Sequence, residues 1–337
     1  MVPTRRSVLT YCASALLSLL LAGCGDVAEL LGIIITDAGS DRVGSDDAFA
    51  DVQTEAVHAL DAGADAGEAG SVCDFSMPFG SPVLLGGLQS NATEGGLRLL
   101  PDELTGFFWS SRIGGPGATN LYVATRPAAD VAFGGVKLLN HVNVALSLTI
   151  DPTVTANGLT LVYRVRTGRN DAGIDDLYSA ARPDIASDFA SGTLLSGLNS
   201  SNTVQPFVLS DGSELYFSSN RSGTFAIYRA VRGSAGFGAP TEVSELNETG
   251  ENEGDPVLSF DDLTILFSST KAGGLGGEDI WVAQRPNKAS AFAAPVNLGA
   301  VNSARTDAPT WLSRDGCRLY LSSDRDGAIH LYLATRM

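Results

Sequence analysis

The chain has 337 residues, 44% of them hydrophobic and 18% charged, with 38 glycines and a formal net charge of -16. That length fits one large all-β domain with appendages, or two small domains, and the glycine content suits short strands joined by tight turns. The acidic balance excludes nucleic acid as a partner, since phosphate needs clustered Lys and Arg, and excludes electrostatic adhesion to anionic lipid.

Arg5 and Arg6 form a basic start, followed by an apolar stretch from Val8 to Gly23. The stretch has the length of a signal-peptide core and is shorter than a membrane span. It ends in Leu21-Ala22-Gly23-Cys24, which resembles the lipobox of bacterial lipoproteins. That resemblance implies cleavage before Cys24, diacylglycerol on its thiol, and loss of Cys12 with the signal. Thr4-Arg5-Arg6-Ser7-Val8-Leu9 also resembles a twin-arginine signal, although the general secretory route is the expectation. Gly25 stands where Asp would favour inner-membrane retention in that family, so the resemblance implies the outer membrane, on its periplasmic or surface face.

Residues 26–72 hold eleven Asp or Glu and a single Arg, with much Ala and Gly. Such a segment buries little apolar surface and repels itself, so it is predicted to be an extended, disordered tether. The predicted organisation is therefore a signal peptide at 1–23, a lipidated cysteine and tether at 24–72, and a folded domain at 73–337.

The folded part is periodic. A strand ending in paired hydroxyls recurs as FFWSS (107–111), LYFSS (215–219), ILFSS (265–269) and LYLSS (319–323), with a divergent LVYRV at 161–165. A polar turn precedes each: Asp102-Glu103, Asn157-Gly158, Asp211-Gly212, Asp261-Asp262 and Asp315-Gly316. Such pairs favour hairpins because they tolerate positive φ. A second strand follows, carrying Tyr122, Tyr178, Tyr228, Trp281 and Tyr332 at intervals of 56, 50, 53 and 51. Phe133, Phe189, Phe237 and Phe292 then open a further strand, and a short apolar strand such as PFVLS (206–210) lies ahead of each turn. Four strands in each of five repeats of about 50 residues predict a five-bladed β-propeller.

The words of the repeat, Asp315-Gly316-Cys317-Arg318-Leu319-Tyr320-Leu321-Ser322-Ser323-Asp324-Arg325 and His330-Leu331-Tyr332, are similar to the WD-repeat-like propeller repeat of TolB, a periplasmic translocation protein. The resemblance covers roughly 75–337 and implies an envelope propeller that binds partners.

Signatures of catalysis are sparse. After signal removal the histidines are His58, His141 and His330, and no GxSxG, HExxH, P-loop or paired CxxC occurs. No cofactor or metal is expected. Inner-strand carboxylates are the candidates for an axial ligand site: Glu253, Asp255 and Asp307 could face a central cavity as glycosidase carboxylates do. Against this, Ile150 and Val204 are taken as the equivalents of Asp307 in other repeats. Arg221, Lys271 and Arg325 occupy matched positions and are expected to tie loops to carboxylates such as Asp279. Trp109, Trp281 and Trp311 are expected in the core.

The last repeat ends five residues after Tyr332 and so lacks its outer strand. Met77–Leu85 matches Ser290–Leu298, so the N-terminal segment is predicted to pair with 331–337 and close the ring. That pairing brings Cys73 and Cys317 into one blade, where an oxidising envelope would let them form a disulfide; two separate thiols are the alternative. The expected function is a monomeric, membrane-anchored module that binds an envelope protein or small ligand, touching the membrane only through its lipid. A carbohydrate-active enzyme and a purely structural envelope component are the alternatives.

Overall fold

The repeated words become antiparallel strands in a computed structural model that describes residues 77–167 and 173–336. A two-residue strand, β1 (Val83–Leu84), comes first. Blade one is β2 (Glu94–Leu99), β3 (Thr105–Ser110), β4 (Asn120–Thr125) and β5 (Gly134–Leu138); blade two is β6 (Leu148–Val154), β7 (Thr160–Thr167), β8 (Ile174–Ala181) and β9 (Thr193–Leu194). Blade three is β10 (Thr203–Val208), β11 (Glu214–Ser219), β12 (Ala226–Gly233), the short β13 (Gly236–Phe237) and β14 (Thr241–Glu242). Blade four is β15 (Glu253–Leu258), β16 (Thr264–Ser269), β17 (Asp279–Gln284) and β18 (Val296–Asn297). Blade five is β19 (Asp307–Leu312), β20 (Arg318–Ser323) and β21 (His330–Thr335), with β1 as its outer strand. The first strands β2, β6, β10, β15 and β19 touch in cyclic order and line the axis. The fold is the predicted five-bladed β-propeller.

Each hairpin turn is built in the same way. The side chain of Asp102, Asn157, Asp211, Asp261 or Asp315 accepts a hydrogen bond from the backbone N–H two residues on, at 2.9–3.0 Å. The next residue takes the left-handed conformation: Glu103, Gly158, Gly212, Asp262 or Gly316, with φ from 59° to 75°. This is the mechanism behind the polar pairs in the sequence.

The carbonyl of that left-handed residue then accepts a hydrogen bond from the Nε of the arginine at or just past the end of the third strand. Arg126, Arg182, Arg232, Arg285 and Arg336 do so at 2.7–2.9 Å. The same guanidiniums lie on Phe133, Phe189, Phe237, Phe292 and Phe79, at 4.2–4.5 Å from the ring centroids. One arginine per blade thus joins the turn, the third strand and the aromatic residue that opens the outer segment. In blade five that aromatic is Phe79, from the start of the described chain.

The predicted closure is present. Val83 pairs with Leu333 and Leu84 with Tyr332, flanked by Gly80 N–H to Thr335 O at 2.8 Å and Leu85 N–H to Leu331 O at 2.9 Å. Between blades five and one, buried Glu103 accepts from Arg318 (2.6 Å) and from the Tyr320 hydroxyl (2.7 Å), which in turn accepts from Arg126 at 2.8 Å. Phe79 and Arg336 also line a cleft of about 1100 Å³ between blades four and five. Cys317 is buried at the start of the β20 hairpin. The predicted signal peptide, Cys24, the tether and Cys73 lie outside the described residues.

Phe79→Ala should cost about 3–5 kcal/mol, the range for truncating a buried aromatic. Native-state hydrogen exchange should show β21 amides opening first in this variant, whereas Phe292→Ala should open β17 instead. Equal protection of β21 in wild type and Phe79→Ala would mean that the N-terminal segment does not fasten the ring.

Candidate functional site

Two positions at the start of each inner strand decide what reaches the axis. The outer of these is Glu94, Thr149, Thr203, Glu253 or Asp307, opposite Ser110, Val165, Ser219, Ser269 and Ser323 on the second strand. Its backbone stitches blades together: the N–H of Glu94, Thr149, Glu253 and Asp307 donates to Ile329, Thr119, Phe225 and Glu278 of the preceding blade, at 2.9–3.1 Å. Asp307 is fully buried and accepts from the Ser303 N–H (2.6 Å), the Ser303 hydroxyl (2.7 Å) and Arg325 Nη2 (2.6 Å). Glu253 accepts from Ser269 at 3.0 Å, and burial pushes its pKa above the usual carboxylate range. Neither carboxylate belongs to the axial cluster described below. The equivalents of Asp307 are Thr149 and Thr203; Ile150 and Val204 lie one residue further along, opposite Arg164 and Ser218.

The matched cations tie loops down: Arg325 pairs with a carboxylate, Asp307, as the sequence suggested, and the arginines also reach loop carbonyls. Arg112, Arg221 and Arg325 donate to the carbonyls of Leu88, Leu198 and Val301 at 2.6–2.7 Å and lie on Tyr122, Tyr228 and Tyr332. Lys271 sits over Trp281. Asp279 takes no part in this. It accepts from the Leu275 and Gly276 N–H groups and from Asn297.

Two residues inward the chain bulges, and the register of every inner strand shifts there. Gly96, Asp151, Gln205 and Asp255 hold φ of 62°, 52°, 51° and 48°. Pro152, Pro206 and Pro256 follow the last three and bar the preceding residue from the right-handed helical region. The bulge breaks the two-residue alternation on which strand reasoning rests. As a result Glu253 turns to Ser269 while Asp255 turns to the adjacent Ser268, on the opposite face. Of the three carboxylates singled out from sequence, Asp255 is the one that joins the axial cluster.

Asp255 Oδ2 accepts from Gln205 Nε2 at 2.8 Å and from the Ser268 hydroxyl at 3.1 Å. Its pKa is pushed up to about 8, first by burial, then by the charges of Asp151 and Glu278; Arg98 and the Ser268 hydrogen bond oppose the rise. Arg98 from blade one therefore feels carboxylates from blades two and four, and its guanidinium lies 5.2 Å from the Phe207 ring of blade three. Burial lowers its pKa to about 10, which leaves it charged at neutral pH. Arg98 is only 5% exposed, and its Nε and Nη1 are buried without a hydrogen-bond partner. Asp151 Oδ2 is 3.3 Å from Arg164 Nε.

Aromatic rings line the same site. Trp109 lies over Gly95 and Gly96, where a Cβ would come within 2.4 Å and 2.7 Å of the indole. Trp311 approaches Phe207, with centroids 6.5 Å apart, and its indole N–H is buried without a partner. Trp281 is core, as expected, but Trp109 and Trp311 are only partly buried. On the face where the inner strands begin, Ile113, Ile174, Leu275 and Ile329 are exposed in or beside the loops joining second to third strands. Among the described residues no group of three or more His, Cys, Asp or Glu could hold a metal ion. No helix of the described residues is long and apolar enough to cross a membrane.

Arg98 escaped the sequence reading. The signal was there: a lone charge inside the apolar run Leu97-Arg98-Leu99-Leu100 of a predicted inner strand. The Asp-Pro, Gln-Pro and Asp-Pro dipeptides at matched places marked the bulge.

No family model matches the chain, and no curated protein does. Among solved structures it is similar to TolB from Acinetobacter baumannii (15% identity, 74% of this chain and 56% of that one, TM-score 0.43). It is likewise similar to a TolB-type structure from Agrobacterium tumefaciens (18%, 75% and 78%, TM-score 0.43). A structure described as a glycoside hydrolase aligns at 8% identity over 77% of this chain and 91% of that one, with a TM-score of 0.52. The chain thus spans little more than half of the Acinetobacter protein. These likenesses concern the propeller fold.

The two aspartates should respond oppositely to amidation. Asp307→Asn leaves Arg325 without its buried counter-charge and should cost about 3–5 kcal/mol. At Asp255 the folded chain keeps its proton up to about pH 8, whereas the unfolded chain releases it near the ordinary carboxylate value of 3.8. Its stabilising contribution is therefore complete below that lower value, falls as pH rises through the window, and is gone above about 8. Asp255→Asn should then be near neutral at about pH 4 and stabilising by on the order of 3 kcal/mol at about pH 9. Denaturant melts of both variants across pH test this; a stability gap for Asp255→Asn that narrows with rising pH would contradict the assignment.

Proposed function

We propose that this chain is a lipid-anchored protein of the cell envelope whose propeller has an axial pit around Arg98 and binds a partner or small ligand there. The observation that carries the binding reading is Arg98: a charged side chain, almost fully buried on the axis, with two N–H groups that no protein atom satisfies. Leaving such donors unpaired costs about 1–3 kcal/mol or more, a cost that a ligand supplying acceptors would recover. Left-handed non-glycine residues at three matched positions also store strain where the polar groups converge. The exposed aliphatic tips of the surrounding loops give the pit an apolar rim.

Anchoring rests on the lipobox-like Leu21-Ala22-Gly23-Cys24. In this reading Cys24 carries the lipid, the acidic tether spaces the propeller from the outer membrane, and Cys73 bonds Cys317. That disulfide would close a loop of about 240 residues and stabilise by roughly 5 kcal/mol before strain. Mass spectrometry should find a mature chain that begins at acylated Cys24, and Cys24→Ser should abolish the modification. An unmodified N-terminus elsewhere would end the lipoprotein reading.

Glycoside hydrolysis is the second reading, favoured by the place of Asp255 at the axial bulge near Asp151, where burial pushes its pKa up to about 8, in the direction a general acid needs. It would run on Asp255 with Asp151, since Glu253 and Asp307 are engaged elsewhere. A ligand screen by thermal shift on the full-length protein should return compounds that raise the Tm of wild type but not of Arg98→Gln. At a hundredfold excess over Kd the stabilisation should be about 2.7 kcal/mol. Turnover of a glycan panel that disappears in Asp255→Asn would replace binding with catalysis.

A further inference from the structure

The identity of the groups in the pit narrows what it can hold. Arg98 Nε and Nη1 and the Trp311 indole N–H are donors without partners, and all flank the Phe207 ring. Asp255 Oδ2 already accepts from Gln205 and Ser268, whereas Asp151 Oδ2, buried without a hydrogen bond, faces the Arg164 cation at 3.3 Å. At Arg98 and Trp311 the unmet demand is for hydrogen-bond acceptors.

Resting on the binding reading above, we infer that the axial pit is a carboxylate site, with the anion on the Arg98 guanidinium and the organic body against Trp109, Phe207 and Trp311. A planar monoanion matches a planar guanidinium. One cation with two carboxylates nearby does not suit a phosphate dianion. The carboxylate can come from a free organic acid or from the C-terminus of a peptide; both present the same group.

The site is also linked to a proton. The charged groups facing Asp255 are Asp151, Glu278 and Arg98, with Gln205 and Ser268 as neutral contacts. Below about pH 8 Asp255 is protonated, so Arg98 faces the charge of Asp151 without that of Asp255, and the Asp255 carboxyl O–H can donate to the ligand. Above that pH the Asp255 carboxylate takes the guanidinium for itself and repels a second anion. Carboxylate binding should therefore weaken as pH rises, by up to tenfold per unit.

The test is calorimetric titration of the full-length protein in detergent with acetate, succinate, a dipeptide and the same dipeptide amidated at its C-terminus, at about pH 6 and about pH 9.5. Expected is saturable binding of carboxylates at the lower pH, loss at the higher one, and loss at both in Arg98→Gln. Asp255→Asn should bind equally at both pH values, a readout that stands even if Arg98→Gln folds poorly. Preference for the free dipeptide over succinate and over its amide assigns the source to a peptide terminus; the reverse order of free dipeptide and succinate assigns it to a small acid. Arg98-dependent binding of the amide, with no binding of any acid, overturns the carboxylate class and leaves the pit a binding site. Absence of binding by every acid and by every compound of the thermal-shift screen overturns both.

Discussion

The structure depends on closing a ring. Five sheets arranged about an axis bury their faces only if the last meets the first, and here that junction is made by a strand borrowed from the other end of the chain. Val83 and Leu84 lie beside Leu333 and Tyr332, contacts that span almost the whole domain and carry a corresponding loop entropy. The arginine that joins hairpin turn to aromatic ring is the local unit that makes the closure specific. It occurs five times, and in the fifth copy its ring is Phe79. The buried Glu103, Arg318, Tyr320 and Arg126 network adds a polar lock at the adjoining blade boundary. Such a network is costly to break once formed.

The axial cluster exists because the ring is closed. Arg98 stands on the first strand of blade one, while its neighbours Asp151, Phe207 and Asp255 stand on blades two, three and four. No pair of adjacent blades contains the site. Loosening the junction at β1 therefore threatens both stability and the geometry of the pit, and the two are separable only by substitutions inside the pit, such as Asp255→Asn.

How much of this was legible in the sequence follows from the range of each signal. The hairpins were readable because an Asx turn and a left-handed residue are decided within four residues. The closure was readable because Phe79 repeats a word found in four other places. The site was only partly readable. Glu253 and Asp255 are two apart and ought to share a face, but positive φ at Asp255 inserts a residue and reverses the parity. The alignment of Ile150 and Val204 with Asp307 slipped for a related reason: it counted along strands and ignored the pairing partner. Arg325 ties its loop to a carboxylate, Asp307, as the sequence suggests, but it and Arg221 also reach backbone carbonyls of loops, which a sequence of side chains does not display, and Lys271 lies on Trp281.

The two ends of the propeller divide the work along physical lines. At the hairpin end every blade repeats the same arginine contact, and the chain's first described residues are stitched in there, so that end is committed to holding the ring. At the other end the first positions of the inner strands are used for stitching blades, and the bulge one step inward turns Asp151, Gln205 and Asp255 away from that duty. Two blades lack a polar side chain at the bulge, with Gly96 in blade one and Pro309 in blade five, and Trp109 covers the gap over Gly96. The axial cluster is thus asymmetric within a nearly five-fold scaffold: Asp151, Gln205 and Asp255 come from blades two to four, Arg98 and Trp109 from blade one, Phe207 from blade three and Trp311 from blade five. A ligand with a charged head and an apolar body would find one buried cation without hydrogen-bond partners at two of its nitrogens, Arg98, for its head and the rings of Trp109, Phe207 and Trp311 for its body.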